Sequence, residues 1–336
     1  MPVSAFTQNN EDEQKTIPFG FDLLPFVGTS SALPHAEREV SINLIGGLSG
    51  GIEKAELAGV FNVTTGAVDG AQLAGTANVV TGSVNGAQLS GSLNIAGESV
   101  NGIQGAGAVN VAAMGVSGIQ GAGTLNVIDG DLAGLQAAGA ANIVTGDVQG
   151  GQLGVLNVAV GEVTGGQIGI LNYARASTGS IGLVSIVPEG FTDVEIFASE
   201  EGLTLAGLRH GTERIYNVYY AGSRLTADGA DFAYGLGLGW RRPLAPSWEL
   251  NIDLTGTHVV TDGSWENGDS LTKLRAIGAW RANDRIAVFG GPTLTVHLAD
   301  NDSDEFSDLE LWSLTEADDE VQAGMWIGAT LGIRIF

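Results

Sequence analysis

The sequence predicts an all-β protein, and three observations predict it. They are a tandem 16-residue repeat, period-2 alternation inside each repeat, and an aromatic-rich C-terminal part that alternates in the same way. The architecture these favour is an antiparallel outer-membrane-type β-barrel of about 18 strands, with one strand per 16-residue repeat. The alternative is an N-terminal β-solenoid followed by an eight-stranded C-terminal barrel. Three regions follow: a polar N-terminal lead or plug at 1–38, the repeats at 39–187, and the C-terminal barrel strands at 188–336.

The repeat is legible in its amides. Asn62, Asn78, Asn94, Asn110, Asn126 and Asn142 are each 16 residues apart, as are Gln72, Gln88, Gln104, Gln120, Gln136 and Gln152. Glu56 takes the glutamine place one repeat earlier. The last units shorten to 15, giving Asn157, Gln167 and Asn172. Within a unit, Val68, Gly70, Gln72, Ala74, Thr76 and Asn78 share one face. Asp69, Ala71, Leu73, Gly75, Ala77 and Val79 share the other. Alternation over twelve residues reads as one extended strand, and the Thr-Gly and Asp-Gly pairs that follow supply turns.

Charge placement supports a membrane. No Lys or Arg lies between Ala55 and Ala174, and the acids there (Asp69, Glu98, Asp129, Asp131, Asp147, Glu162) sit in or beside turns. Twelve neutral residues tilted near 45° span about 28 Å, close to the apolar band of about 25 Å that an outer-membrane strand crosses. The uncharged run Ser99–Ile128 is not a membrane helix, because seven glycines interrupt it and its period is not helical. Three features favour the solenoid instead. The residue lost in the short units falls between Gln and Asn, where a coil would turn. Aromatics are absent from 62 to 172. Gly, Ala and Ser make a thin lipid-facing surface.

From Phe191 the style changes: all six Trp and four of the five Tyr lie beyond it. Strands are expected at 191–198, 201–209, 213–224, 229–241, 247–260, 270–282, 284–297 and 322–336. Eight is the even count a single-chain barrel requires, and Trp240, Trp248, Trp280 and Trp326 suit an interfacial belt. The chain ends on Phe336, as outer-membrane strands do, although Ile327, Leu331, Ile333 and Ile335 occupy the opposite face.

Composition excludes several functions. A net charge of −24 argues against a nucleic-acid partner, and the absence of Cys removes disulfides, thiolate metal sites and cysteine nucleophiles. The first 15 residues lack the basic and apolar regions of a secretory signal. His35, His210, His258 and His297 have no metal-ligand spacing, and no phosphate loop or nucleophile elbow occurs, so no catalytic residue and no cofactor is expected. Asp300, Asp302 and Asp304 alternate as weak Ca²⁺ candidates. The EF-hand pattern then fails, since Glu305 stands where the sharp-turn Gly belongs and Leu311 stands at position twelve, and an acidic solvent loop is the preferred reading. The Asn and Gln columns are expected to be structural, lining a barrel lumen or stacking between coils.

The opening Ser41-Ile42-Asn43-Leu44-Ile45-Gly46-Gly47, units such as Gly86-Ala87-Gln88-Leu89-Ser90-Gly91-Ser92-Leu93-Asn94, the exit Ile181–Val187 and the motif Phe289-Gly290-Gly291-Pro292 together resemble a bacterial surface-repeat outer-membrane family of Bacteroidetes and Leptospira type. The resemblance covers 39–336 and implies an outer-membrane or cell-surface location with no known reaction. The expected function is therefore a non-enzymatic outer-membrane barrel, pore-forming or structural, whose partner is the lipid bilayer. Its alternative is a surface-exposed solenoid module for adhesion or assembly, anchored by a small C-terminal barrel.

Overall fold

The computed structural model describes residues 15–226, 229–260, 268–300, 306–314 and 321–336. Among these there is no α-helix, and no helix is long and apolar enough to cross a membrane. The chain divides into two compact units, Met1–Gly146 and Asp147–Phe336.

In the first unit each repeat makes two strands, not one. Val68–Ala74 and Ala77–Val80 are separated by a corner at Gly75–Thr76, and the next unit repeats this as Val84–Ser90 and Leu93–Ala96. Successive units pair parallel and in register: Val68 lies beside Val84, Gln72 beside Gln88, and Asn78 beside Asn94. These are coils of a β-solenoid, about nine turns over the repeat region. The single 18-stranded barrel is therefore incorrect, because neighbouring barrel strands would run antiparallel. Parity explains the error. The 75–76 corner uses two residues, so the inward side keeps its even positions across it (Val68 and Gln72 before, Asn78 and Val80 after), and a bent coil mimics one straight strand. Parallel pairing of this kind already joins Thr16–Leu24 to Glu37–Asn43.

One glycine column is obligatory. Gly70, Gly86, Gly102, Gly118 and Gly134 all have φ between +134° and +140°, a region L side chains avoid. A Cβ on Gly102 would stand 2.0 Å from the carbonyl oxygen of Gly86 in the preceding coil. The coils therefore stack at a separation only glycine permits.

The second unit contains the 15-residue coils and the barrel. Val148–Leu153 and Leu156–Ile168 carry the pattern on, with Gln152 beside Gln167 and Asn157 beside Asn172. The corner Gly154–Val155 again uses two residues, and the residue lost inside the Gln-to-Asn stretch comes from the strand before it, six residues long where Val68–Ala74 has seven. Eight antiparallel strands then follow: Phe191–Ser199, Thr204–Gly211, Ile215–Leu225, Ala230–Ala245, Trp248–Val260, Gly268–Asn283, Ile286–Asp300 and Val321–Ile335. The first pairs with the last, Val194 beside Ile335 and Ile196 beside Ile333, which closes the sheet into a barrel. All eight expected strands are present, with boundaries moved by a few residues.

Candidate functional site

Two buried polar systems and one exposed apolar surface hold most of the chemistry of this chain. The first system is the repeat amides, all of them buried inside the coils rather than along a barrel lumen. The asparagine ladder runs toward the C-terminus. Asn43 Nδ2 donates to Asn62 Oδ1 at 2.9 Å, and the pattern continues through Asn78, Asn94, Asn110 and Asn126 to Asn142 at 2.9–3.0 Å. In the second unit Asn157 donates to Asn172, which in turn donates to Ser185 Oγ. Asn62, Asn78, Asn94, Asn110, Asn126 and Asn157 also donate to a carbonyl beside the corner of the following coil, as Asn94 does to Gly105 O at 2.6 Å.

The glutamine ladder runs the opposite way. Gln136 donates to Gln120, then Gln104, Gln88 and Gln72 follow in turn, at 2.7–3.1 Å, and Gln167 donates to Gln152. The first ladder ends on Glu56, whose two oxygens accept from Gln72, Thr64, Asn43 and Ser49. Burial raises the Glu56 carboxyl above its ordinary range. The hydrogen bonds from Gln72, Thr64 and Asn43, and the Arg38 guanidinium, partly oppose this. Amides bonded to their neighbours in this way satisfy the coil interior and hold it in register.

The second system fills the barrel. Arg334 bonds Glu195 at 2.8 Å and Glu249 at 2.8 Å, Arg275 bonds Asp253 at 2.8 Å, and Arg209 lies 3.3 Å from Glu195 and 2.9 Å from Asn251 Oδ1. The Tyr216 hydroxyl donates to Asp253, and its ring stacks under Arg209. Toward the other end Lys273 pairs with Glu201, and Glu200 accepts from Thr293, Thr295 and Trp326. Phe306 folds back over Trp326 and His297 and is buried. Eight strands leave an interior just wide enough for side chains, and here side chains occupy it. Trp326 thus belongs to the lumen, not to the expected belt.

The barrel exterior is the converse. Leu208, Leu236, Leu254, Leu274, Ile327 and Leu331 all point outward and are exposed. Trp240, Trp248 and Trp280 lie exposed near one end of their strands, and Phe232 and Tyr234 near the other. From Phe232 to Trp240 is eight residues, about 20 Å of height at the usual tilt, comparable with a membrane barrel's apolar band. Sequence reasoning located the strands but missed the interior ion pairs. The signal was present: Asn251 and Asp253 alternate with Ile252 and Leu254, and the charged phase turns inward.

Of the three weak Ca²⁺ candidates only Asp300 falls among the described residues. Asp302 and Asp304 lie outside the described residues, Asp300 ends a strand, and no cluster able to hold a metal occurs among the described residues. His297 is buried, between Glu310 at 3.0 Å and Asp269 at 3.5 Å, and His210 accepts from the backbone N–H of Val187. Comparison with protein-family models, curated proteins and solved structures returned no match.

Proposed function

We propose that this is a non-enzymatic outer-membrane protein in which the eight-stranded barrel is a membrane anchor and the solenoid coils are a module for assembly with other components. The observation that carries the reading is the inverted polarity of the barrel. Its interior holds Arg209, Arg275, Arg334, Glu195 and Asp253, each at most 2 % exposed, while Leu254, Ile327 and Leu331 are 57–65 % exposed. A water-soluble barrel would present the opposite pattern, since exposed apolar patches of this extent mark an interaction surface. The packed lumen argues for an anchor rather than a pore.

Strand connections support one orientation. The short links 212–214, 246–247 and 284–285 join strands at one end; the strand ends that meet at the other, Ser199 and Thr204, Leu225 and Ala230, Val260 and Gly268, Asp300 and Val321, are separated by longer stretches of sequence. Outer-membrane barrels keep short turns in the periplasm and long loops outside. The chain enters the barrel at Phe191, at the short-turn end, which favours a periplasmic module over adhesion at the cell surface. The test is membrane fractionation with heat-modifiable gel migration, followed by protease treatment of intact cells. Outer-membrane recovery with the coils protected is expected. A monodisperse, detergent-free species in buffer would overturn the anchor, and coil cleavage in intact cells would overturn the orientation.

A further inference from the structure

The coils of the second unit have two unlike corners. At one, Leu153, Val155, Ile168, Ile170, Ile181 and Leu183 are 39–56 % exposed. The other carries Asp147 and Glu162, and no Lys or Arg occurs from Ala55 through Ala174. The apolar corner is also fixed in height against the barrel. Asn217 Nδ2 donates to Gly182 O at 2.8 Å, and the Tyr219 hydroxyl donates to Leu183 O at 2.9 Å. Strand alternation turns both side chains outward, away from the lumen residues Tyr216, Val218 and Tyr220.

Register gives the level. Ile215 pairs with Trp240, Asn217 with Leu238 and Tyr219 with Leu236. The Gly182–Leu183 corner is therefore held by residues two and four positions above the tryptophan level, within the barrel's apolar band. An uncharged apolar edge joined to a lipid-facing wall at that depth, with acids confined to the opposite corner, has the polarity of an element lying in a membrane interface.

Resting on the anchor reading above, we propose that the apolar corner of these coils is a second lipid-binding surface, seated among the acyl chains of the periplasmic leaflet beside the barrel. The coils of the second unit would then be held at the membrane by their own side chains, not by the Val187–Phe191 link alone.

The chain has no cysteine, so single cysteines report individual sites. The full-length variants Ile170→Cys, Glu162→Cys and Leu254→Cys are labelled with an environment-sensitive nitrobenzoxadiazole dye. Each is then reconstituted in phosphatidylethanolamine–phosphatidylglycerol vesicles with or without brominated acyl chains. Expected is a loss of emission at Ile170 comparable with that at Leu254, and none at Glu162. Quenching at Leu254 but not at Ile170 overturns the lipid-binding corner and leaves the anchor intact. A blue-shifted Ile170 probe that lipid bromines do not quench means a second copy or another protein covers the corner, and also overturns it. No quenching at Leu254 means the anchor itself has failed, and the proposal with it.

Discussion

Gln72 Nε2 donates to Glu56 Oε2 at 2.9 Å, and that bond terminates the glutamine ladder of the first unit on a carboxylate. Each glutamine from Gln136 back to Gln72 offers its N–H₂ to the coil before it. The residue at the end receives donors on both oxygens, from Gln72 and Thr64 on one and from Asn43 and Ser49 on the other. A carboxylate is the acceptor-only group such an end requires, whereas an amide would bring a surplus donor. Arg38, itself buried and bonded to Asp22 at 3.0 Å, supplies nearby positive charge.

Glu56→Gln should therefore destabilise the first unit at neutral pH, by about 1–3 kcal/mol, because a buried N–H₂ then faces another donor. The pH dependence has a definite sign. The folded Glu56 carboxyl lies above its ordinary value of 4.5, so it binds a proton more readily in the folded than in the unfolded chain. The corresponding stability is fully present below the unfolded pKa and is lost as pH rises through the raised folded value. The urea midpoint of the wild type should gain on that of Glu56→Gln as pH falls from about 7 toward about 4.5. A constant difference across that range would refute the assignment.

Two glycine substitutions should separate stacking from composition. Gly102→Ala places a Cβ 2.0 Å from Gly86 O at a φ of +134°, and should cost more than about 2 kcal/mol. Gly121→Ala meets nothing within 4 Å and should be nearly neutral. Thermal unfolding of the two variants checks this, and equal losses would count against the stacked column.

Coil deletion should be graded. Removing residues 98–113 joins coils whose register differs by one whole unit, so the Asn and Gln ladders close over the gap. Removing 98–129 should close them equally well but lose two coils of stability instead of one, since solenoid stability is roughly a sum over coils. Urea titration with circular dichroism would show this order. Failure of the single deletion alone to fold would contradict independent coils.

Arg334 is 1 % exposed and holds both Glu195 and Glu249. Arg334→Ala leaves those carboxylates to the longer contacts of Arg209, 3.3 Å from Glu195 and 3.7 Å from Glu249, and should cost about 3 kcal/mol. The check is the temperature at which the heat-modifiable band disappears. An unchanged temperature would mean that the lumen network does not support the barrel.

Leu254→Lys offers the corresponding test of the outer face. The side chain is 57 % exposed, so in water the change should be close to neutral. On a bilayer-facing wall it should cost roughly 2–4 kcal/mol and reduce insertion yield into vesicles. Full insertion yield would argue against lipid contact at that position.

Much of this protein was determined by its sequence alone. The 16-residue spacing of Asn62 to Asn142 and Gln72 to Gln152 established repetition and β-structure, and alternation with turn chemistry located all eight barrel strands, because both are local properties of the chain. Only tertiary structure decided between one strand and one bent coil per repeat. Gly75 and Thr76 form a two-residue corner that preserves parity, so inward and outward positions alternate identically in either fold. Parallel stacking, the opposed directions of the two amide ladders and the role of Glu56 as a terminal acceptor all depend on which coil lies next to which. The inward turn of Arg209, Arg275 and Arg334 depends likewise on barrel closure, which pairs Val194 with Ile335 across more than a hundred residues of chain and so leaves no mark in any local window.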